Sequence, residues 1–216
     1  MRKSFSWEAF NRIPVVGILR NVSLAKIKLL AVIYKGSGLT TLEITMNSVG
    51  AAETIDYLSG KYGDTLNIGA GTVCTPEDLE QALTAGATFI VTPVLNEEVI
   101  KACVTKKIPV FPGAYTPTEI YNAWSLGAEM VKVFPATRLG ASYIKDVLAP
   151  LPYLNLLPTG GIGLDNCTEF LQAGAKGLGI GSTLFPPKMI EEENWEELNN
   201  LFLSFVKKIN DYKNSL

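Results

Sequence analysis

The stretch Leu66-Asn67-Ile68-Gly69-Ala70-Gly71, then Thr75-Pro76-Glu77-Asp78, then Ala85-Gly86-Ala87 and Thr88-Phe89-Ile90-Val91-Thr92 holds one complete strand-helix-strand unit. The first and last runs are apolar and short enough for buried strands. Between them, Thr75 stands as an N-cap, Pro76 takes the first helical position and the acidic pair occupies the first turn. Gly86 closes the helix, where a glycine takes the left-handed conformation before the next strand. The same punctuation recurs at Leu126-Gly127-Ala128 and Ala173-Gly174-Ala175, and similar helix starts recur at Ser23, Asn96-Glu97-Glu98 and Thr116-Pro117-Thr118-Glu119.

Working outward in both directions, such units repeat every 20 to 30 residues or roughly so. The candidate strands are Ile13 to Arg20, Thr40 to Thr45, Leu66 to Gly71, Thr88 to Thr92, Ile108 to Phe111, Met130 to Phe134, Leu154 to Leu157 and Lys176 to Ile180. Eight strand-helix units without a dividing linker fit a closed (β/α)8 TIM barrel better than an open doubly wound sheet, which is the alternative. Trp195, Leu198, Leu201, Phe202, Phe205, Val206 and Ile209 have helical spacing and are expected to pack as the eighth helix. The expectation is a single barrel domain over residues 1–216, with a short N-terminal helical segment.

The chain has 216 residues, 47% hydrophobic and 19% charged, with 19 Lys and Arg against 21 Asp and Glu. A net charge of -2 provides no basic field for nucleic acid, which is not an expected partner. No apolar run approaches the roughly 20 residues of a membrane span, so no membrane association is expected. Ser4, Trp7, Glu8 and Asn11 interrupt any signal-peptide core, so export is not expected either. Cys74, Cys103 and Cys167 have no metal-ligand spacing and suit a reducing cytoplasm. With no histidine at all, catalytic Ser-His and Cys-His pairs and His-ligated zinc are excluded. Chemistry is left to Lys, Glu, Tyr or Cys.

In a barrel the working side chains sit at the carboxyl ends of the strands. Period-two alternation in Thr41-Leu42-Glu43-Ile44-Thr45 sends Leu42 and Ile44 outward and Glu43 inward; in Met130-Val131-Lys132-Val133-Phe134 it sends Lys132 inward. One reading of the pair is a buried structural ion pair. The other is a lysine whose ammonium is disfavoured by desolvation, leaving an amine that attacks a ketone to form a Schiff base, with Glu43 moving the protons. Pro158-Thr159-Gly160-Gly161-Ile162 after the seventh strand and Gly179-Ile180-Gly181-Ser182 after the eighth fall where barrels bind phosphate. Arg20 ends the first strand and offers positive charge to a substrate anion. Thr72, after Gly69-Ala70-Gly71, places a hydroxyl at the barrel mouth.

Taken together, Leu42-Glu43-Ile44-Thr45, Gly69-Ala70-Gly71-Thr72-Val73, Phe111-Pro112-Gly113, Val131-Lys132-Val133-Phe134-Pro135-Ala136 and Pro158-Thr159-Gly160-Gly161 resemble the 2-keto-3-deoxy-6-phosphogluconate and 4-hydroxy-2-oxoglutarate aldolase family. The resemblance runs from about Pro14 to Ser182 and implies a trimeric class I aldolase barrel using neither metal nor other cofactor. It implies that Lys132 forms the Schiff base with pyruvate or a phosphorylated keto acid, and that Glu43 is the acid/base, acting through a bound water. Thr72 would hold the pyruvyl carboxylate, Pro93 and Phe134 would line the pocket, and Thr159, Gly160, Gly161, Gly181 and Ser182 would meet the phosphate. Asn47 stands where the phosphogluconate enzymes commonly carry an arginine. The Asn47-Ser48 pair looks like the 2-keto-3-deoxy-6-phosphogalactonate branch, whereas Pro158-Thr159-Gly160-Gly161 looks like the gluconate branch. Asn47 is therefore a substrate-binding candidate, with Arg20 the cation that takes over anion binding. Two other functions stay open at this point: a proton-transferring isomerase or epimerase barrel, and a catalytically silent barrel that binds a phosphorylated metabolite.

Overall fold

The computed structural model describes residues 4–215. After a short helix α1 (Trp7–Arg12), strands and helices alternate: β1 (Val15–Leu19), α2 (Leu24–Gly36), β2 (Thr41–Thr45), α3 (Ala51–Tyr62), β3 (Asn67–Gly71), α4 (Pro76–Thr84), β4 (Ile90–Val91), α5 (Glu97–Thr105) and β5 (Val110–Phe111). The second half continues through β6 (Gly113–Ala114), α6 (Pro117–Ser125), β7 (Val131–Val133), the 3-10 turn Ala136–Arg138, α7 (Gly140–Leu148), β8 (Leu156–Pro158), α8 (Cys167–Gln172), β9 (Leu178–Ile180), α9 (Pro187–Glu191) and α10 (Trp195–Asn214).

The strand pairings are all parallel, in the orders β5-β4-β3-β2-β1-β9 and β6-β7-β8. Two links close these arcs into a (β/α)8 barrel. β5 and β6 are the two pieces of the fifth barrel strand, interrupted at Pro112, which has no N–H to give to a ladder. Its carbonyl still accepts from Lys132 N–H at 2.9 Å. At the other seam, Thr159 bridges Gly179 and Lys176 N–H donates to Leu156 at 2.9 Å. The expected fifth strand, Ile108 to Phe111, contains β5 but stops short of β6, where pairing resumes beyond the proline.

The helix starts carry the expected chemistry. Thr75 and Thr116 form full capping boxes with Asp78 and Glu119, and the Asn96 side chain accepts from Val99 N–H. Ser23 is the N-cap of α2 without a capping bond from its side chain.

Two apolar layers hold the barrel. The outer one lies between strands and helices and includes Leu42, Ile44, Leu30 and, from α10, Leu198, Phe202, Phe205 and Ile209. The inner one contains Val16, Phe89, Val91, Phe111, Met130 and Leu157 with Phe5 and Phe10 of the N-terminal segment. Phe5 meets the Phe89 ring edge-on at 5.2 Å between centroids, and Phe10 is fully buried. The Asn67 side chain ties this segment to the strands: it accepts from Ser6 N–H at 2.7 Å and donates to Ser6 O at 3.0 Å. The N-terminal mouth is therefore plugged by aromatic rings, which leaves the carboxyl mouth for chemistry. Among the described residues no helix is long and apolar enough to cross a membrane.

Candidate active site

At the carboxyl ends of the strands lies a cavity of about 840 Å³. Lys132, in the middle of β7, reaches it from between Gly113 of β6 and Leu157 of β8. Only 6% of this residue is exposed, and its Nζ lies 5.0 Å from the centroid of the Phe134 ring. Burial pulls the ammonium below the usual lysine range, opposed by the Glu43 carboxylate and reinforced by Arg20.

Glu43 is buried even more completely, in the middle of β2, and is not itself one of the residues lining the cavity. Burial raises its carboxyl above the usual glutamate range, against the pull of Lys132 and Arg20. The carboxyl fits only because β3 carries a glycine beside it: a Cβ on Gly71 would fall 1.5 Å from Oε1 and 2.2 Å from Cδ. The Oε2 atom is buried without a hydrogen-bond partner. Burial outweighs mutual attraction for both groups, so each is pushed toward its neutral form.

Thr72 follows β3 in the left-handed region at φ 57°, a costly conformation for a β-branched residue, and lines the cavity together with Pro93 and Phe134. Thr159, Gly160, Gly161, Gly181 and Ser182 line the same cavity and form the wall expected to receive phosphate; Thr159 N–H donates to Val133 O, next to Phe134, at 2.9 Å. Gly160 and Gly161 have φ of 100° and 71°, and a Cβ on Gly161 would press 3.0 Å from the Thr137 backbone. The two loops are fastened to each other by the Thr183 hydroxyl, which donates to Ile162 O. Arg20 lines the same cavity from the end of β1.

Asn47 is the exception: it is exposed on the turn after β2 and is not part of the cavity wall. Nearness to Glu43 in sequence does not put Asn47 on the cavity wall. Conversely, sequence reasoning missed Lys26. From the first turns of α2 its ammonium lines the cavity and donates to the Ile190 and Glu191 carbonyls, at 2.9 and 3.0 Å, at the end of α9. Its position one turn beyond the Ser23 N-cap was the available signal. Cys103 and Cys167 are buried with thiols raised by desolvation, Cys103 to about 12, and neither lines the cavity.

A lysine and a carboxyl buried under the mouth of a (β/α)8 barrel, with a glycine-rich wall in the same cavity, define an enzyme site of the barrel type. Residues 8–201 match the family model described as KDPG and KHG aldolase. The chain is 39% identical over 166 residues to a 2-dehydro-3-deoxy-phosphogluconate aldolase of Haemophilus influenzae, covering 76% of this chain and 78% of the relative. It is 34% identical over 175 residues to a 2-dehydro-3-deoxy-6-phosphogalactonate aldolase of Escherichia coli, covering 81% and 85%. Among solved structures, one described as native KDPGal superposes with a TM-score of 0.88 at 30% identity, over 98% of this chain and 99% of the other. A KDPG aldolase from Legionella pneumophila, with pyruvate captured as a covalent carbinolamine, gives 0.84 at 29% identity, over 91% and 96%. The chain belongs to the KDPG/KHG aldolase family, and it is an aldolase, a carbon-carbon lyase.

Proposed function

We propose that the protein is a Schiff-base aldolase that reversibly cleaves a phosphorylated 2-keto-3-deoxy sugar acid to pyruvate and glyceraldehyde 3-phosphate. The observation that carries this reading is Lys132, buried in the cavity lining with its ammonium disfavoured and acted on by the charge of a still more deeply buried Glu43. The Lys132 amine attacks the C2 carbonyl, and Glu43 in its acid form supplies the proton with which the carbinolamine loses water. The Glu43 carboxylate then takes the proton of the C4 hydroxyl. The C3–C4 bond breaks, its electron pair moves into the iminium to give an enamine, and the aldehyde leaves. Protonated Glu43 returns the proton to C3, and water releases pyruvate and the free amine.

Arg20 and Thr72 face the keto-acid end, and Thr159, Gly160, Gly161, Gly181 and Ser182 the phosphate end. The pyruvate adduct in the Legionella pneumophila relative supports the covalent chemistry. 4-Hydroxy-2-oxoglutarate, giving glyoxylate, is a shorter substrate of the same kind. A second reading, the galactonate epimer, is favoured by the close superposition on the KDPGal structure. Pyruvate release from the gluconate and galactonate epimers and from 4-hydroxy-2-oxoglutarate, compared by kcat/KM, tests the assignment. The gluconate compound is expected to lead, and a tenfold or greater lead of the galactonate epimer, about 1.4 kcal/mol, would replace it. We further propose a cytoplasmic homotrimer, checked by light scattering and cell fractionation.

A further inference from the structure

The guanidinium of Arg20 has no ion pair with another described residue, and Arg20 is exposed on the cavity side of the barrel mouth. Its direction therefore depends on the backbone that carries it. The pairing of β1 with β2 ends at Leu19 opposite Ile44, one residue before Arg20. Immediately after Arg20, Asn21 turns into the left-handed region at φ 54°. The next hold on this loop is a bond to the neighbouring loop after β2: Asn21 N–H donates to Ser48 Oγ at 2.9 Å.

Ser48 is a firm post for that bond. Its N–H donates to Thr45 O at 3.0 Å, its Oγ lies 2.9 Å from Thr45 Oγ1, and Met46 N–H donates to Gly71 O at 2.7 Å. The post is thereby fastened to both β2 and β3, the strands that carry Glu43 and Gly71. We infer that Ser48 is a positioning residue, which fixes the Asn21 turn so that Arg20 points its charge at the carboxylate of the keto acid. This rests on the reading that Lys132 condenses with a keto acid. It also assigns the segment after β2 a function that does not require Asn47 to touch substrate: the serine holds the loop that brings the cation.

The test is the rate of borohydride trapping of pyruvate on full-length protein, read by intact mass against pyruvate concentration for wild type, Ser48→Ala, Ser48→Thr, Arg20→Met and the Ser48→Ala/Arg20→Met double variant. Ser48→Ala is expected to raise the half-saturating pyruvate concentration about three- to tenfold, the range of one lost hydrogen bond, with the limiting rate within about twofold. Ser48→Thr, which keeps the oxygen, should restore it. In the Arg20→Met background Ser48→Ala should add nothing, because the group it positions is gone. An unchanged half-saturation in Ser48→Ala, or the same weakening with and without Arg20, overturns the inference. Failure of the wild type itself to trap pyruvate at Lys132 overturns the underlying Schiff-base reading instead, so the two failures are told apart.

Discussion

Replacing Gly71 by alanine tests the fit between β2 and β3 at the reacting centre. The added Cβ would lie 1.5 Å from Glu43 Oε1, 2.2 Å from Cδ and 2.6 Å from Cγ. The first of these is a covalent bond length, so the carboxyl has to leave its place or the strands have to part. Glu43 is 1% exposed, and a forced methyl in such packing costs about 1–3 kcal/mol. Withdrawing a general acid/base from its position costs about 10²–10⁴ in turnover. Gly71→Ala should therefore fold with a lower urea midpoint and lose two or more decades of kcat, about 2.7 kcal/mol of barrier at the least. The control is Glu43→Ala, which empties the space the new methyl needs. In that background Gly71→Ala should cost little stability and no further activity. Retention of wild-type turnover by Gly71→Ala, or an equal loss of stability with and without the Glu43 side chain, would refute the reasoning.

The raised Glu43 carboxyl makes stability depend on pH with a definite sign. A group whose folded pKa lies above its unfolded value of about 4.5 favours the fold fully below that value, and this contribution is lost as pH rises through the folded pKa. Against Glu43→Gln, wild type should lose relative stability as pH climbs from 4.5 through that folded pKa, as read from paired thermal melts; a gap independent of pH would contradict it. Gly161→Ala strains a position with φ 71° and crowds Thr137, so KM for the phosphorylated substrate should rise at least tenfold, while trapping of pyruvate, which has no phosphate, stays near wild type. Equal loss in both assays would place Gly161 outside phosphate binding. Phe10→Ala removes a fully buried ring of the N-terminal plug and should cost about 3–5 kcal/mol in urea unfolding, with turnover per folded molecule preserved. A cost below 1 kcal/mol, or a specific loss of turnover, would argue against a purely packing role.

Much of this was legible because strand alternation is a local rule. Period two sends Glu43 and Lys132 inside the barrel, and helix punctuation marks the repeating units. The limits of the strands were less legible: Thr88 to Thr92 contains only the two-residue strand Ile90–Val91, because ladder bonds depend on neighbours remote in sequence. The strand after Pro112 was missed for a related reason, since a proline breaks the ladder without ending the barrel strand. The plug formed by Phe5, Trp7 and Phe10 was hidden because apolar residues near a chain end do not announce which cavity they fill. Asn47 and Ser48 show the same limit at the site. Sequence drew attention to the asparagine, whereas the hydrogen bond that ties the loops after β1 and β2 together belongs to the serine.

The central claim, an amine at Lys132 that bonds covalently to a keto acid, is tested most directly by borohydride reduction in the presence of saturating pyruvate, followed by intact-mass measurement and peptide mapping. The account predicts one pyruvate-derived adduct per chain, mapped to Lys132 and absent from folded Lys132→Ala. A folded protein that stays unmodified, or an adduct that maps to another lysine and survives in Lys132→Ala, would contradict it.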